Sequence, residues 1–186
     1  MIGYAICGSF CTLSRSLRQL EALTRAGYEV QPILSERAAS TDTRFMRANE
    51  LIERVESLCS RKIVSTVEAA EPFGQITPLE ELIIAPCTGN TLAKISHGIT
   101  DTAVTMAAKA HLRCDRPTLI ALASNDAMSQ NLANIAALLS RKSVYFVPML
   151  QDDPVGKPHS LVANMERLPE AFAAMKNSRQ LRPLFL

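Results

Sequence analysis

The sequence predicts an α/β fold, a three-layer sandwich in which helices cover both faces of a mostly parallel sheet. Short apolar runs alternate along the 186 residues with longer segments of helical periodicity, as expected for successive βαβ units. The run Leu82-Ile83-Ile84-Ala85 is apolar at every position, which is typical of a central strand with helices on both sides. Together these features predict a Rossmann- or flavodoxin-like sheet within a single domain spanning residues 1–186.

The first half of the chain contains two predicted strands and two long predicted helices. In order, they are a strand over 2–7, a helix over 12–26, a strand over 28–34, and a helix whose apolar positions recur from Ala48 to Cys59. Gly27 ends the first helix, and the polar stretch 35–42 leads into the second. Ser65-Thr66-Val67-Glu68 is predicted to be a capping box that begins a further short helix.

The second half repeats the alternation of strands and helices. The predicted elements are a strand over 82–85, a helix over 91–97, a helix ending near 113, a strand over 118–123, a helix over 128–139, a strand over 143–147 and a final helix over 160–176. The turn 86–89 follows the first of these strands, Thr100 or Asp101 is expected to cap a helix, and 151–158 is a loop. The prediction is therefore about five parallel strands, with ligands at their carboxyl ends.

Composition excludes several classes of protein. Hydrophobic residues make up 47% and charged residues 20% of the chain, and the net charge of +2 does not suggest a nucleic-acid surface. No apolar run is long enough to span a membrane, and the first apolar run reads as a strand rather than a signal peptide. The five cysteines form no CxxC pair, so neither a disulfide framework nor a zinc site is expected. These features predict a cytoplasmic protein without a structural metal.

Polar residues follow four of the predicted strands. They are Gly8-Ser9-Phe10, Ser35, the segment Pro86-Cys87-Thr88-Gly89-Asn90-Thr91, and the segment Ala123-Ser124-Asn125-Asp126. Small residues let a ligand approach the backbone, and hydroxyl, amide and N–H groups can bind a phosphate or the edge of a heteroaromatic ring. Each segment by itself could also be a tight turn or a helix cap, although the segment 86–91 favours a ligand site over a cap. Because parallel strands bring such segments to one edge of the sheet, the sequence favours a shared ligand site.

These segments resemble the family of FMN-binding flavoproteins that includes the cysteine decarboxylases and the flavin prenyltransferases. The resemblance is carried by Gly8-Ser9 and by residues 86–91 with their continuation to Asp101. Within the family it is closest to the members that take part in forming dipicolinate, the acid that accumulates in bacterial spores. The segments that carry this closer resemblance are 40–45, 70–72, 85–90, 105–110, 125–127 and 151–154.

The resemblance implies a site for FMN at the strand ends. The candidate cofactor-binding residues are Gly8, Ser9, Phe10, Ser35, Pro86, Thr88, Gly89, Asn90, Thr91, Ser124 and Asn125, with Ser124 near the phosphate or the ribityl chain. The implied reaction is the oxidation of dihydrodipicolinate to dipicolinate, with NADP(H) bound to a partner A subunit. Family members assemble as trimers or dodecamers, so a homo-oligomer is expected. Two alternatives are an FMN-dependent cysteine decarboxylase and a non-catalytic flavin-binding subunit.

The sequence departs from the decarboxylases where their chemistry takes place. No histidine lies between Val64 and Leu82 to replace the catalytic one, and residues 124–127 stand where the decarboxylases have their substrate loop. A dicarboxylate substrate would need cationic partners. Arg44 is the first candidate, and Lys157 and His159 are the next, although Arg44 could also be a solvated helix-start residue.

Other reactive side chains are expected to be structural. His97 lies in the last turn of a predicted helix, where a cation suits the helix dipole, and His111 lies within another helix. Asp152 and Asp153 are interpreted as turn residues rather than a metal pair. Nothing beside Cys87 in the sequence would lower its pKa, so a nucleophilic role is not expected. The catalytic residue is left unassigned.

Overall fold

The computed structural model describes residues 1–186 and contains one seven-stranded sheet flanked by helices. Five strands are parallel: β1 (Ile2–Ile6), β2 (Val30–Leu34), β3 (Glu81–Thr88), β4 (Thr118–Ser124) and β5 (Val144–Phe146). Two short antiparallel strands, β6 (Met149–Leu150) and β7 (Leu161–Ala163), extend one edge. The order is β2-β1-β3-β4-β7-β6, with β5 also paired to β4. The predicted fold class is confirmed.

Eight α-helices connect the strands. They are α1 (Leu13–Arg25), α2 (Glu36–Ser40), α3 (Ala48–Cys59), α4 (Val67–Ala70), α5 (Gly89–His97), α6 (Ala103–Leu112), α7 (Gln130–Leu139) and α8 (Leu168–Lys176). Three short 3₁₀ segments, at Phe10–Thr12, Glu71–Phe73 and Met165–Arg167, precede or follow them. None of the helices is both long and apolar enough to span a bilayer.

The sheet separates two apolar layers. On one side α1 places Leu13, Leu17 and Leu20 against the sheet, at the spacing of a single helix face. On the other side α6 contributes Ala107, and its small side chain allows the helix to lie close to the strands. All five residues of β1 are buried, which accounts for the continuous apolar run at the start of the sequence.

The prediction of about five strands was incomplete, because β6 and β7 were missed. The segment 160–176 was predicted to be one helix, but only α8 is α-helical there and Leu161–Ala163 forms β7. Strand β5 pairs only with residues 118–120 of β4, and β7 pairs with Ala123 and Ser124 farther along. The N–H and C=O groups of β4 that the short β5 leaves unpaired are therefore paired by β7. This pairing depends on tertiary structure, so the local periodicity of the sequence does not predict it.

The central strand is longer than predicted. The turn expected at 86–89 is part of β3 as far as Thr88, and α5 begins at Gly89 rather than Thr91. The pairing of β3 with β4 shifts between Ile84 and Cys87, so that Pro86 lies at a bulge. Proline, which has no N–H to donate, is tolerated within a sheet at such irregularities. The lengthened strand brings Thr88 directly to the start of a helix.

Several helix starts differ from the prediction. The polar stretch 35–42 contains the short helix α2, and α4 is capped by Thr66, whose hydroxyl accepts from Ala69 N at 3.2 Å. Helix α6 is capped by Thr102 rather than Thr100 or Asp101. Asp101 instead accepts from Lys94 Nζ at 2.7 Å. In both helices the capping hydroxyl accepts from the N–H three residues later. The cap is therefore the residue three positions before the first free N–H that needs an acceptor.

Candidate functional site

Four neighbouring strands end in hydroxyl-bearing residues at one edge of the sheet. In spatial order β2, β1, β3 and β4 are followed by, or end in, Ser35, Ser9, Thr88 and Ser124. The backbones are joined at this level, because Ser35 N donates to Ile6 O at 3.0 Å and Cys7 N donates to Pro86 O at 3.1 Å. Adjacent strands lie about 4.8 Å apart, so the four ends form a continuous row. The predicted convergence at the carboxyl edge is therefore present in the structure.

The serines after β1 and β2 have hydroxyl hydrogens available for a ligand. Ser9 Oγ accepts from Thr12 Oγ1 at 3.1 Å, and Ser35 Oγ accepts from Ala38 N at 3.3 Å. A serine oxygen that accepts one bond retains its own hydrogen for donation. A Cβ added to Gly8 would lie 3.5 Å from Arg37 Cβ, an ordinary contact, so protein packing does not require glycine there. This half of the row combines hydrogen-bond donors with the base of the Arg37 side chain.

Thr88 and Thr91 use their hydroxyls mainly within the protein. Thr88 Oγ1 accepts from Thr91 N at 3.2 Å, which caps α5, and it donates to Thr91 Oγ1 at 3.0 Å. Thr91 and Pro86 are buried, whereas Asn90 is exposed at the second position of α5. Among the predicted residues of this segment, Asn90 is therefore the side chain most accessible to a ligand.

A hydrogen-bonded network lies where β4 ends. Ser124 Oγ donates to Asp126 Oδ1, and Asn131 Nδ2 donates to the same oxygen at 2.9 Å. Asn134 Nδ2 donates to Asn131 Oδ1 at 3.0 Å. These hydrogen bonds stabilise the carboxylate, and they hold the pKa of Asp126 below its ordinary value. Asn125, the other predicted residue here, is exposed and has no side-chain hydrogen bond.

Gly89 connects this network to α5. A Cβ added at Gly89 would overlap Ser124 Oγ and lie 2.7 Å from Asn131 Nδ2. No real Cβ contact is this short, so glycine is required for α5 to begin against the end of β4.

Two grooves lie on the surface. A polar groove of about 600 Å³ runs between α5 and α7 and is lined in part by Asn90, His97 and Asp126. A separate apolar groove of about 540 Å³, between α1 and α8, includes Tyr28, which precedes β2.

Two of the three candidate substrate-binding residues lie on the loop beside these strand ends. Lys157 Nζ donates to Asp152 Oδ2 at 3.0 Å, and this hydrogen bond and the negative charge of Asp152 raise the pKa of Lys157. His159 lies two residues after Lys157, and its carbonyl oxygen accepts from Met128 N at 2.9 Å.

Arg44, the third candidate, makes no hydrogen bond to the strand ends. It lies between α2 and α3, and its guanidinium stacks on the exposed ring of Phe45, with 4.8 Å between the guanidinium carbon and the ring centroid. No hydrogen bond joins Arg44 to Ser9, Ser35 or another residue of the row. Arg37, which the sequence patterns did not single out, lies closer to Gly8.

The remaining reactive groups have structural surroundings. Buried Cys87 lies beside Cys7, and this neighbour together with burial holds the pKa of Cys87 well above its ordinary value. His111 Nε2 lies 2.9 Å from Pro117 O, and burial lowers the pKa of His111 to about 4. His97 Nδ1 lies 2.9 Å from Ala93 O of its own helix. No group of three or more histidine, cysteine, aspartate or glutamate side chains is arranged to bind a metal.

Sequence reasoning missed the residues that orient the site. Asp126 was noted as part of the polar strand end 123–126 and of the family resemblance but was given no role, and Asn131 and Asn134 were not selected. Both asparagines are buried on the inner face of α7, at positions three apart. Amides at the apolar positions of an amphipathic helix indicate a buried polar network, and this was the available signal.

Comparisons with known proteins agree with the resemblance. A family model described as Flavoprotein matches residues 1–181. The chain is 38% identical over 185 residues to the B subunit of dipicolinate synthase from Bacillus subtilis (strain 168), and the match covers 100% of this chain and 92% of that protein.

Solved structures give the same result. The crystal structure of the dipicolinate synthase B subunit from Bacillus halodurans C matches with a TM-score of 0.90 at 39% identity, over 100% of this chain and 95% of that chain. The FMN-dependent cysteine decarboxylase SpaF matches with a TM-score of 0.69 at 20% identity, over 95% of each chain, and so shares the fold. The chain belongs to the Flavoprotein family.

Proposed function

We propose that this protein binds FMN across the row of strand ends and acts as the B subunit of a dipicolinate synthase. The observation that carries the proposal is the row itself, in which Ser35, Ser9, Thr88 and Ser124 end four neighbouring strands. Family membership supports a flavin, and the FMN-dependent SpaF has the same fold. The relative from Bacillus subtilis, 38% identical, supports the specific function.

The donor half of the row suits the phosphate of FMN. Ser9 and Ser35 each retain a hydroxyl hydrogen, and phosphate oxygens accept hydrogen bonds. The Cβ of Arg37, an exposed residue of α2, lies 3.5 Å from a Cβ built on Gly8, so the side chain that carries this guanidinium begins beside Gly8. Gly8 leaves space at the backbone for a ligand to approach. These residues fit the anionic end of the cofactor.

The other half suits the ribityl chain and the ring. Asn90 offers both a donor and an acceptor at the exposed start of α5, and Ser124 and Thr88 add hydroxyl oxygens without adding positive charge. When bound, FMN supplies a two-electron acceptor for oxidation of the substrate. In this proposal Asn90 and the neighbouring backbone hold the ring, and Lys157 and His159 bind the carboxylates of dihydrodipicolinate as their cationic partners.

The partner and setting follow from the same proposal. Oxidation of dihydrodipicolinate to dipicolinate removes a hydride equivalent and a proton; the hydride equivalent reduces NADP⁺ on the A subunit to NADPH, and the proton is released to solvent. A homo-oligomer, a trimer or a dodecamer, is proposed for the flavin-binding subunit. The unpaired cysteines of the sequence support a cytoplasmic setting.

Anaerobic spectroscopy tests the redox role. We expect dihydrodipicolinate to bleach the flavin absorption when the FMN-loaded chain and the A subunit are mixed, and the Asn90→Asp variant to lose flavin and activity together. Asn90 is exposed, so this substitution leaves the fold intact. Dipicolinate formation by an Asn90→Asp variant without flavin would contradict the redox role and support a non-catalytic subunit. Turnover of a cysteine substrate by the chain alone would support the decarboxylase alternative.

A further inference from the structure

The carboxylate of Asp126 determines which way the Ser124 hydroxyl points. An ionised carboxylate can only accept hydrogen bonds, so the single hydrogen of Ser124 is used in the bond to Asp126 Oδ1. The Asn131 amide is held in the matching orientation, because its oxygen accepts from Asn134 and its nitrogen therefore faces Asp126. Ser124, Asn131 and Asn134 are all at least 92% buried, which restricts other arrangements of the network.

The two halves of the row therefore differ in what they offer a ligand. Ser9 and Ser35 accept from the protein and can donate to a ligand. Ser124 donates to the protein and can only accept from a ligand. A Cβ built on Gly89 would lie 3.0 Å from Asp126 Oδ1, so a negative charge stands beside the start of α5. This charge offsets the positive end of the helix dipole that would otherwise attract an anion.

We infer that Asp126 is a positioning residue that makes Ser124 a hydrogen-bond acceptor toward the flavin and excludes the cofactor phosphate from the end of β4. The partner of Ser124 is then an N–H of the ring or a hydroxyl of the ribityl chain, both of which donate. This inference rests on the proposed flavin site. It adds that Ser9 and Ser35 donate to the cofactor, whereas Ser124 accepts from it. The sequence-based expectation was that Ser124 lies near the phosphate or the ribityl chain. The inference excludes the phosphate and leaves the ribityl chain or the ring as the partner of Ser124.

Comparing FMN with riboflavin, which lacks the phosphate, tests the inference. Dissociation constants would be measured by quenching of flavin fluorescence for the wild type, Ser124→Ala, Asp126→Ala and the double variant. We expect each single substitution to raise both constants by about tenfold, the effect of one hydrogen bond, and by the same factor for the two ligands. The double variant should bind no more weakly than either single one, because Asp126 acts through Ser124.

Two further variants separate positioning from a general loss of stability. Asp126→Asn keeps an oxygen that can accept the same two hydrogen bonds, so it should retain riboflavin binding close to that of the wild type. Asp115→Asn is the matched control, since Asp115 is exposed, lies before β4, and has a positive φ of 55° that asparagine tolerates. If Asp126→Ala does not fold, Ser124→Ala and Asp126→Asn still decide the question.

Three results would overturn the inference. They are a Ser124→Ala variant that weakens FMN binding but not riboflavin binding, an Asp126→Ala variant that weakens neither, and single effects that multiply in the double variant. A wild-type chain that binds neither ligand would instead contradict the proposed function itself, and the inference with it.

Discussion

Replacing Ser9 by aspartate is expected to abolish FMN binding while leaving riboflavin binding nearly unchanged. The new carboxylate would lie where we place the phosphate, and two like charges about 4 Å apart repel by roughly 4 kcal/mol at an effective dielectric constant of about 20. Even half of that energy would weaken binding by more than about tenfold, and the full value by several hundredfold. The measurement is a fluorescence titration of the variant with each ligand.

The substitution is informative because the fold should tolerate it. Ser9 is partly exposed and precedes the 3₁₀ turn Phe10–Thr12 without capping it, a position that aspartate also favours. Ser9→Ala is the neutral control and should reduce FMN affinity only by about the energy of one hydrogen bond. Equal weakening of FMN and riboflavin by Ser9→Asp would show that the phosphate lies elsewhere.

The second large effect is expected from Gly89→Ala, which should lower both stability and flavin affinity. The added Cβ would overlap Ser124 Oγ and lie 2.7 Å from Asn131 Nδ2. Either side chain could move alone, but both are hydrogen-bonded to Asp126, so relief of the overlap breaks the network. Overpacking of this kind costs about 1–3 kcal/mol, which corresponds to a fall in Tm of roughly 2–4 °C for each kcal/mol.

Gly8→Ala is the matched control for this substitution. Its Cβ would meet Arg37 Cβ at 3.5 Å and the Phe10 ring at 3.6 Å, both ordinary contacts, so the melting temperature should not change. Any loss of flavin affinity in this variant would then report close approach of the ligand to the backbone. A Gly89→Ala variant as stable as the wild type would contradict the arrangement of Ser124, Asp126 and Asn131.

The sequence was sufficient to predict the parallel core of the fold and the location of the row of strand ends. Buried strands such as β1 are apolar throughout, and this local signal does not depend on their neighbours. The convergence of Ser9 and Ser124 follows from topology alone, since parallel strands end at the same edge. Both expectations needed only the order of elements along the chain.

Features that depend on tertiary pairing were not predicted. Strand β7 forms because the second half of β4 lacks a partner, and the length of β3 depends on a bulge at Pro86. Asp126, two residues away, determines the direction in which the Ser124 hydroxyl donates. Asn131 donates to the same carboxylate, and its position depends on the packing of α7. The amides on the inner face of α7 indicate that a buried polar network exists, but local sequence patterns do not identify its partners or the pairing of the strands.

The most direct test of the central claim is an absorption titration of the purified chain with FMN. We predict flavin bands that saturate near one FMN per chain and that are lost in the Ser9→Asp variant. A wild-type chain that shows no flavin bands as purified, and none after incubation with FMN and removal of the free cofactor, would contradict the account. The row of strand ends would then be a feature of the family fold without a bound cofactor.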